Sequence, residues 1–259
     1  MTILKNAIIL ILTVSFAAAS CKKSETKDLS MTVKEYQALG MPDPGKVWKN
    51  SEYENANIMM GTLKIDNPLR LPRKNSKKSG QVFQRLISEE NLEFVNDTTA
   101  PLSLRAFKIQ TYPFFVSALT SLYTVNANDK PYYPGELMDI RIFSLHLNEA
   151  MFRLSEKIMK STDEGDISLQ SGQQSVKHNY LNLITLLLGE QGKSDIYDTR
   201  DLERLSQEIS RSLNENNYWI LTADRDTLTA QIQNIITKSS TEYIKENYIR
   251  ALKIVKGDN

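Results

Sequence analysis

The chain is poor in the residues that carry most enzyme chemistry. Its 259 residues include one cysteine, Cys21, and two histidines, His146 and His178. A lone cysteine forms no internal disulfide and no multi-cysteine metal site. Neither charge sign is in surplus: 32 basic residues stand against 31 acidic ones, so there is no global electrostatic case for nucleic acid. The phosphate-binding order Gly-x4-Gly-Lys-Ser/Thr is absent, and so is the Gly-x-Ser-x-Gly elbow of serine hydrolases. Ser-x-x-Lys occurs only at Ser20–Lys23 and Ser24–Lys27. No Glu-x-x-His occurs, which removes the di-iron bundle pattern; the order in His146-Leu147-Asn148-Glu149 is the reverse. No repeat of fixed period is found, and no tetratricopeptide-like signature. Cofactors and metals are therefore not expected.

What is present begins at the amino terminus. Lys5 provides a basic start, Ala7 to Ala19 carry no charge, and the run closes on Ala17-Ala18-Ala19-Ser20 before Cys21. Such an apolar stretch is short for a membrane span, which needs about 20 residues, and small residues after an apolar core mark a cleavage site. Ala18, Ala19, Ser20 and Cys21 resemble the lipobox of bacterial lipoproteins, a family that more often has Leu where Ala18 stands. The resemblance covers residues 1–21. It implies a signal peptide over 1–20, a diacylglycerol thioether on Cys21 and acylation of the new amino terminus. One acyl chain anchors marginally, whereas two or three anchor stably. The resemblance also implies that Lys22, in place of the Asp associated with inner-membrane retention, directs the protein to the outer membrane of a Gram-negative envelope. Residues 21–31, polar through Lys22-Lys23-Ser24-Glu25-Thr26-Lys27-Asp28, read as a flexible tether.

Residues 32–259 read as a single all-α domain, an irregular multi-helix bundle with two central apolar helices and a subdivision point near 126–135. Glycine and proline are sparse and cluster between periodic stretches, while Leu, Ile, Glu, Lys, Gln and Asn dominate. Short helices are expected near Thr32–Leu39, Ser51–Ile65 and Ser79–Ser88. A helical pair is expected at Pro101–Gln110 and Pro113–Tyr123, with Pro113 in a first turn. Long helices are expected at Glu136–Lys160, Leu169–Leu188, Thr199–Asn214, Asp224–Ser239 and Thr241–Lys256. Asp224 and Thr241 are expected as amino-terminal caps, with Gly189 and Gly192 ending the Leu-rich helix and Gly257 the last one. On the Glu136–Lys160 wheel, Ile140, Phe143, Leu147, Met151, Leu154 and Ile158 share one face. Met138, Ile142, Leu145, Phe152 and Met159 form a second face roughly opposite. A helix apolar on two sides lies between layers of others. The Leu181–Leu188 segment is apolar almost all round and reads as the second core helix.

Four constellations are candidates for function. Asp139, His146, Glu149 and Arg153 form a polar strip between the two apolar faces, in which His146 and Glu149 are neighbours at a spacing of three. With His178, Asn182 and Thr185 from the Leu-rich helix they could line a polar pocket; the simpler reading is a salt-bridged strip. Arg70, Arg73, Lys74, Lys77 and Lys78 crowd a loop entering a helix, a recipe for contact with phosphate, lipid headgroups or an acidic partner surface; the simpler reading is a solvated basic loop. Asp163, Glu164 and Asp166 around Gly165 offer hard oxygens, but not at calcium-loop spacing, and read as a polar turn. Phe107, Tyr112, Phe114, Phe115, Tyr123, Tyr132 and Tyr133 suit either a binding platform or a core. With no credible nucleophile, the expected function is non-enzymatic. The chain reads as an envelope-anchored lipoprotein whose helices bind a protein partner, as an accessory subunit or an immunity-type protein. A soluble-ligand binder is the second expectation and a hydrolase centred on His146 the third.

Overall fold

The computed structural model describes residues 28–257 apart from 49, 66, 125, 128–129 and 162–166. Cys21, residues 22–27 of the expected tether, and Asp163, Glu164 and Asp166 lie outside the described residues; the rest of that tether, Asp28 to Met31, is not loose but hydrogen-bonded to the 70–79 loop, with Ser30 and Met31 buried. The fold is all-α: α1 (Val33–Ala38), α2 (Asn50–Ile65), α3 (Gly80–Leu86), α4 (Leu102–Tyr123), α5 (Pro134–Ser161), α6 (Ile167–Gln191), α7 (Thr199–Glu215), α8 (Thr222–Lys238) and α9 (Glu242–Lys256). Short 3-10 turns cover Pro68–Arg70, Glu89–Val95 and Asn217–Trp219. The only strands among the described residues, β1 (Asn126–Ala127) and β2 (Lys130–Pro131), pair antiparallel and lead into α5. Among the described residues, no helix is long and apolar enough to cross a membrane.

Local chemistry explains several boundaries. Thr32 and Glu35 close a capping box on α1, each side chain accepting from the other's backbone N–H. Asp198 accepts from the Asp201 N–H at 2.8 Å and caps α7. Gly257, at φ 78°, ends α9 in the left-handed conformation that glycine adopts without strain.

Two hydrophobic clusters fill the molecule, and α5 enters both. Ile140, Phe143, Leu147 and Leu154 belong to the first, with residues of α1–α4 such as Tyr36, Met59, Phe83 and Phe115. Met138, Ile142, Leu145 and Phe152 belong to the second, with α6–α9. The two-faced wheel read from the sequence therefore describes a helix packed on α4 along one side and on α6 and α7 along the other. The α7 stripe of Leu202, Leu205, Ile209 and Leu213 is buried, as are Leu228, Ile232 and Ile235 of α8. On α6, Leu181, Ile184, Leu187 and Leu188 are buried while Leu186 is exposed.

Some expectations need correction. The helical pair near Pro113 is one helix, α4. Proline there forfeits the hydrogen bond to the Ile109 carbonyl. Ile109, Tyr112, Phe115, Val116 and Leu119 are nonetheless buried on both sides of it, so packing carries the helix through. Gly189 lies inside α6, in open space, and the helix runs on to Gln191. Asp224 sits in the first turn of α8, whose cap position is Leu221. Thr241 occupies the cap position of α9 without a side-chain hydrogen bond. The aromatic stretch mainly feeds the core: Tyr112, Phe115 and Tyr123 are buried, whereas Phe114 is 76% exposed. The side chain of Phe107 lies outside the described residues.

Candidate functional site

The polar strip of α5 meets a matching strip on α7. The two helices run side by side in the same direction, so charges spaced along one face of each come into register. Asp139 accepts from the Arg204 guanidinium at the first rung. His146 meets Glu208 at the second, Nε2 to Oε2 3.1 Å. Glu149 meets Arg211 at the third, with nitrogen–oxygen contacts of 3.1–3.3 Å. Lys74 caps the upper end, 3.3 Å from Asp139 and 3.7 Å from Asp201. Arg211 Nη1 also donates to Glu215 at 2.8 Å, and its Nε donates to Glu208 at 2.9 Å.

A third wall comes from the 3-10 turn Glu89–Val95. Glu89 Oε1 lies 2.8 Å from His146 Nδ1. The imidazole is thus held between two carboxylates that can only accept, so both ring nitrogens carry protons in this arrangement. Burial pulls the His146 pKa down, but the hydrogen bond to Glu208 and the charges of Glu89 and Glu149 outweigh it and leave the pKa raised. Glu208 is correspondingly lowered to about 2, mainly by the His146 hydrogen bond and then by Arg211 against the effect of burial. Burial also acts against the charge on Arg211, yet Glu149, Glu208 and Glu215 hold it more firmly protonated than usual.

These walls enclose an open cleft of about 610 Å³, lined by Glu89, Glu93, His146, Arg153, Glu208 and Arg211 among others. Glu149 lies at its base, 2% exposed, with Asn216 Nδ2 at 3.4 Å and Arg153 at 3.9 Å. From there hydrogen bonds continue inward, from Asn216 to the Ser212 carbonyl and between Ser212 and the buried Tyr180 hydroxyl. Among the described residues no group of three or more His, Cys, Asp or Glu side chains could hold a metal ion.

His178 does not join this cleft. It is exposed on α6, and so is Asn182, while Thr185 is half-buried. Tyr180, two residues after His178, is one of the α6 side chains in the second cluster, with Leu181, Ile184, Leu187 and Leu188, and side chains two apart do not share a helix face. A polar pocket combining His146, Glu149 and His178 is therefore not formed.

The basic loop divides its charges. Arg70 Nη2 donates to Glu35 Oε1 at 2.7 Å. Arg73 lies over the Tyr133 ring, 5.0 Å from its centroid. Lys74 faces inward to the charge ladder, and its backbone N–H donates to the buried Glu136 at 3.0 Å. Lys77 and Lys78 are exposed. The loop enters α3 at Ser79, whose hydroxyl accepts from the Arg73 N–H at 2.9 Å instead of capping the helix. Most of the loop is thus fixed to the fold. Glu89, Glu208 and Arg211 belong to no recognisable sequence motif, although the run Arg204, Glu208, Arg211, Glu215 opposite the apolar stripe of α7 is a readable signal.

No family model, curated protein or solved structure matches this chain.

Proposed function

We propose that this chain is a lipoprotein anchored through Cys21 in a bacterial envelope, in the outer membrane, and that its helical domain works by binding a protein partner there. The observation that carries the anchoring is the lipobox-like Ala18-Ala19-Ser20-Cys21 at the end of an uncharged run, at the only cysteine in the chain. The non-enzymatic part is supported by the state of His146. Both its ring nitrogens are engaged by carboxylates, so it could serve as a base only by breaking one of those pairs. Glu149, Glu208 and Arg211 are likewise bonded to one another or to His146. A ladder satisfied from within acts as a joint between α5, α7 and the 89–95 turn.

The test uses the full chain in a bacterial host. Cys21→Ala should leave the signal uncleaved and abolish the acyl mass, which mass spectrometry reads on the intact protein. Normal processing and membrane retention of that variant would end the lipoprotein reading. A His146→Gln chain that stays folded and anchored should keep any cellular phenotype of the parent. Loss of the phenotype in that variant would return the hydrolase or ligand-binding reading.

A further inference from the structure

The point where the described chain begins is bolted to the basic loop. Asp28 Oδ1 accepts from the Ser30 N–H and hydroxyl at 2.9 and 2.6 Å, and its Oδ2 accepts from the Ser76 hydroxyl at 2.5 Å. Lys78 Nζ donates to the Asp28 carbonyl at 2.5 Å. The Ser79 hydroxyl donates to Ser30 Oγ at 2.9 Å, and the Met31 N–H donates to the Arg70 carbonyl at 2.9 Å. The hydroxyls of Ser30 and Ser76 hold the Asp28 carboxyl down to about 2, so this clamp persists over the whole physiological pH range.

That clamp limits how far the loop can stand from an anchor at Cys21. Seven peptide steps separate Cys21 from Asp28, and an extended chain covers at most about 3.6 Å per step, or ~25 Å in all. The six residues between them, Lys22 to Lys27, contain three lysines against one glutamate. Lys77 and Lys78 lie beside the same point and are exposed, while Arg70, Arg73 and Lys74 are turned to Glu35, Tyr133 and the charge ladder. Basic side chains held near an anionic leaflet are attracted to it, and that attraction fades within about 8 Å at physiological salt.

We infer that the protein stands on its membrane through this end, with Lys77 and Lys78 against the headgroups of anionic phospholipids. The inference rests on the anchoring proposed above. It selects a lipid surface among the anionic partners a basic loop could take, because the covalent tether brings that surface to the loop.

The experiment uses the full-length acylated chain with Asn75→Cys. Cys21 is blocked by its thioether, so the new thiol is the sole labelling site beside the loop. A donor dye at position 75 is read by energy transfer to headgroup-labelled acceptor lipid in phosphatidylcholine vesicles, with and without phosphatidylglycerol. Transfer should be higher in the anionic vesicles. It should fall to the neutral-vesicle level on raising salt, and it should drop in the same chain carrying Lys77→Gln, which leaves the Lys78 bond to Asp28 in place. An acylated chain whose transfer ignores vesicle charge would overturn the orientation and leave the anchor standing. An anionic effect unchanged by that substitution would overturn the assignment to this face of the loop. Absence of an acyl group on Cys21, seen by mass spectrometry beforehand, would remove the anchor and this inference with it.

Discussion

His146 shows how a single side chain can look catalytic and yet act as a joint. Its two carboxylate partners come from different parts of the chain, Glu89 from the 3-10 turn and Glu208 from α7. The pH dependence follows from the direction of each shift. The His146 pKa is raised above its ordinary 6.5, so its contribution to stability is fully present below about 6.5 and is lost as pH rises through the folded value. Glu208 is lowered from 4.5 to about 2, so its contribution is present above 4.5 and is lost as pH falls through about 2. The pair stabilises most between those two ordinary values, with Glu89, Glu149 and Arg211 as the other charges facing it. The urea midpoint of the parent should therefore exceed that of His146→Gln most in weakly acidic solution, and the gap should narrow as the medium turns alkaline. A gap constant from weakly acid to alkaline pH would mean that folding leaves the His146 pKa where the unfolded chain has it. The sequence showed His146 and Glu149 as neighbours on one strip. It did not show that Glu149 would pair with Arg211 instead, because register between two helices is a property of their packing.

At the scale of elements, legibility follows periodicity. α5 and α7 were readable because apolar residues recur every three or four positions over many turns, and the two faces of α5 are the faces that enter the two clusters. The Glu89–Val95 turn was not readable, since seven residues give no period to detect, although it supplies a whole wall of the cleft. Pro113 misled for a different reason: a local breaker was outweighed by the buried residues on either side of it. The two faces of α5 can be tested separately. Leu147 is 2% exposed in the first cluster, and Phe152 is 1% exposed in the second, its ring centroid 3.6 Å from that of Trp219. Leu147→Ala should cost about 2–5 kcal/mol and Phe152→Ala about 3–5 kcal/mol in urea unfolding. A loss below ~0.5 kcal/mol at either position would mean that its face is not closed in solution, since a cavity left in a packed core is always felt.

For the whole molecule, the open question is whether two clusters make one folding unit. The turn region 126–135 looked like a boundary in the sequence, and it does precede the helix at which the clusters meet. That helix contributes to both, and the charge ladder ties it to α7 and to the 89–95 turn at once. Two cores that share one helix cannot unfold separately without exposing one of its faces, which favours a single cooperative transition. The chain carries its own reporters, because it has two tryptophans, one in each cluster. Trp48 is 4% exposed, packs edge-on against Phe115 and donates its indole N–H to the Tyr36 hydroxyl at 3.0 Å. Trp219 is fully buried between Phe152 and Tyr180. Trp48→Phe leaves a reporter of the second cluster, and Trp219→Phe leaves a reporter of the first. In each variant the fluorescence midpoint in urea should coincide with the helical circular-dichroism midpoint of the same variant, which reads both clusters. Adding Leu147→Ala, a lesion in the first cluster, should move the Trp219 transition along with the helical signal. If the Trp219 signal instead holds while part of the helical signal melts early, the two clusters are separate domains and α5 belongs to only one of them.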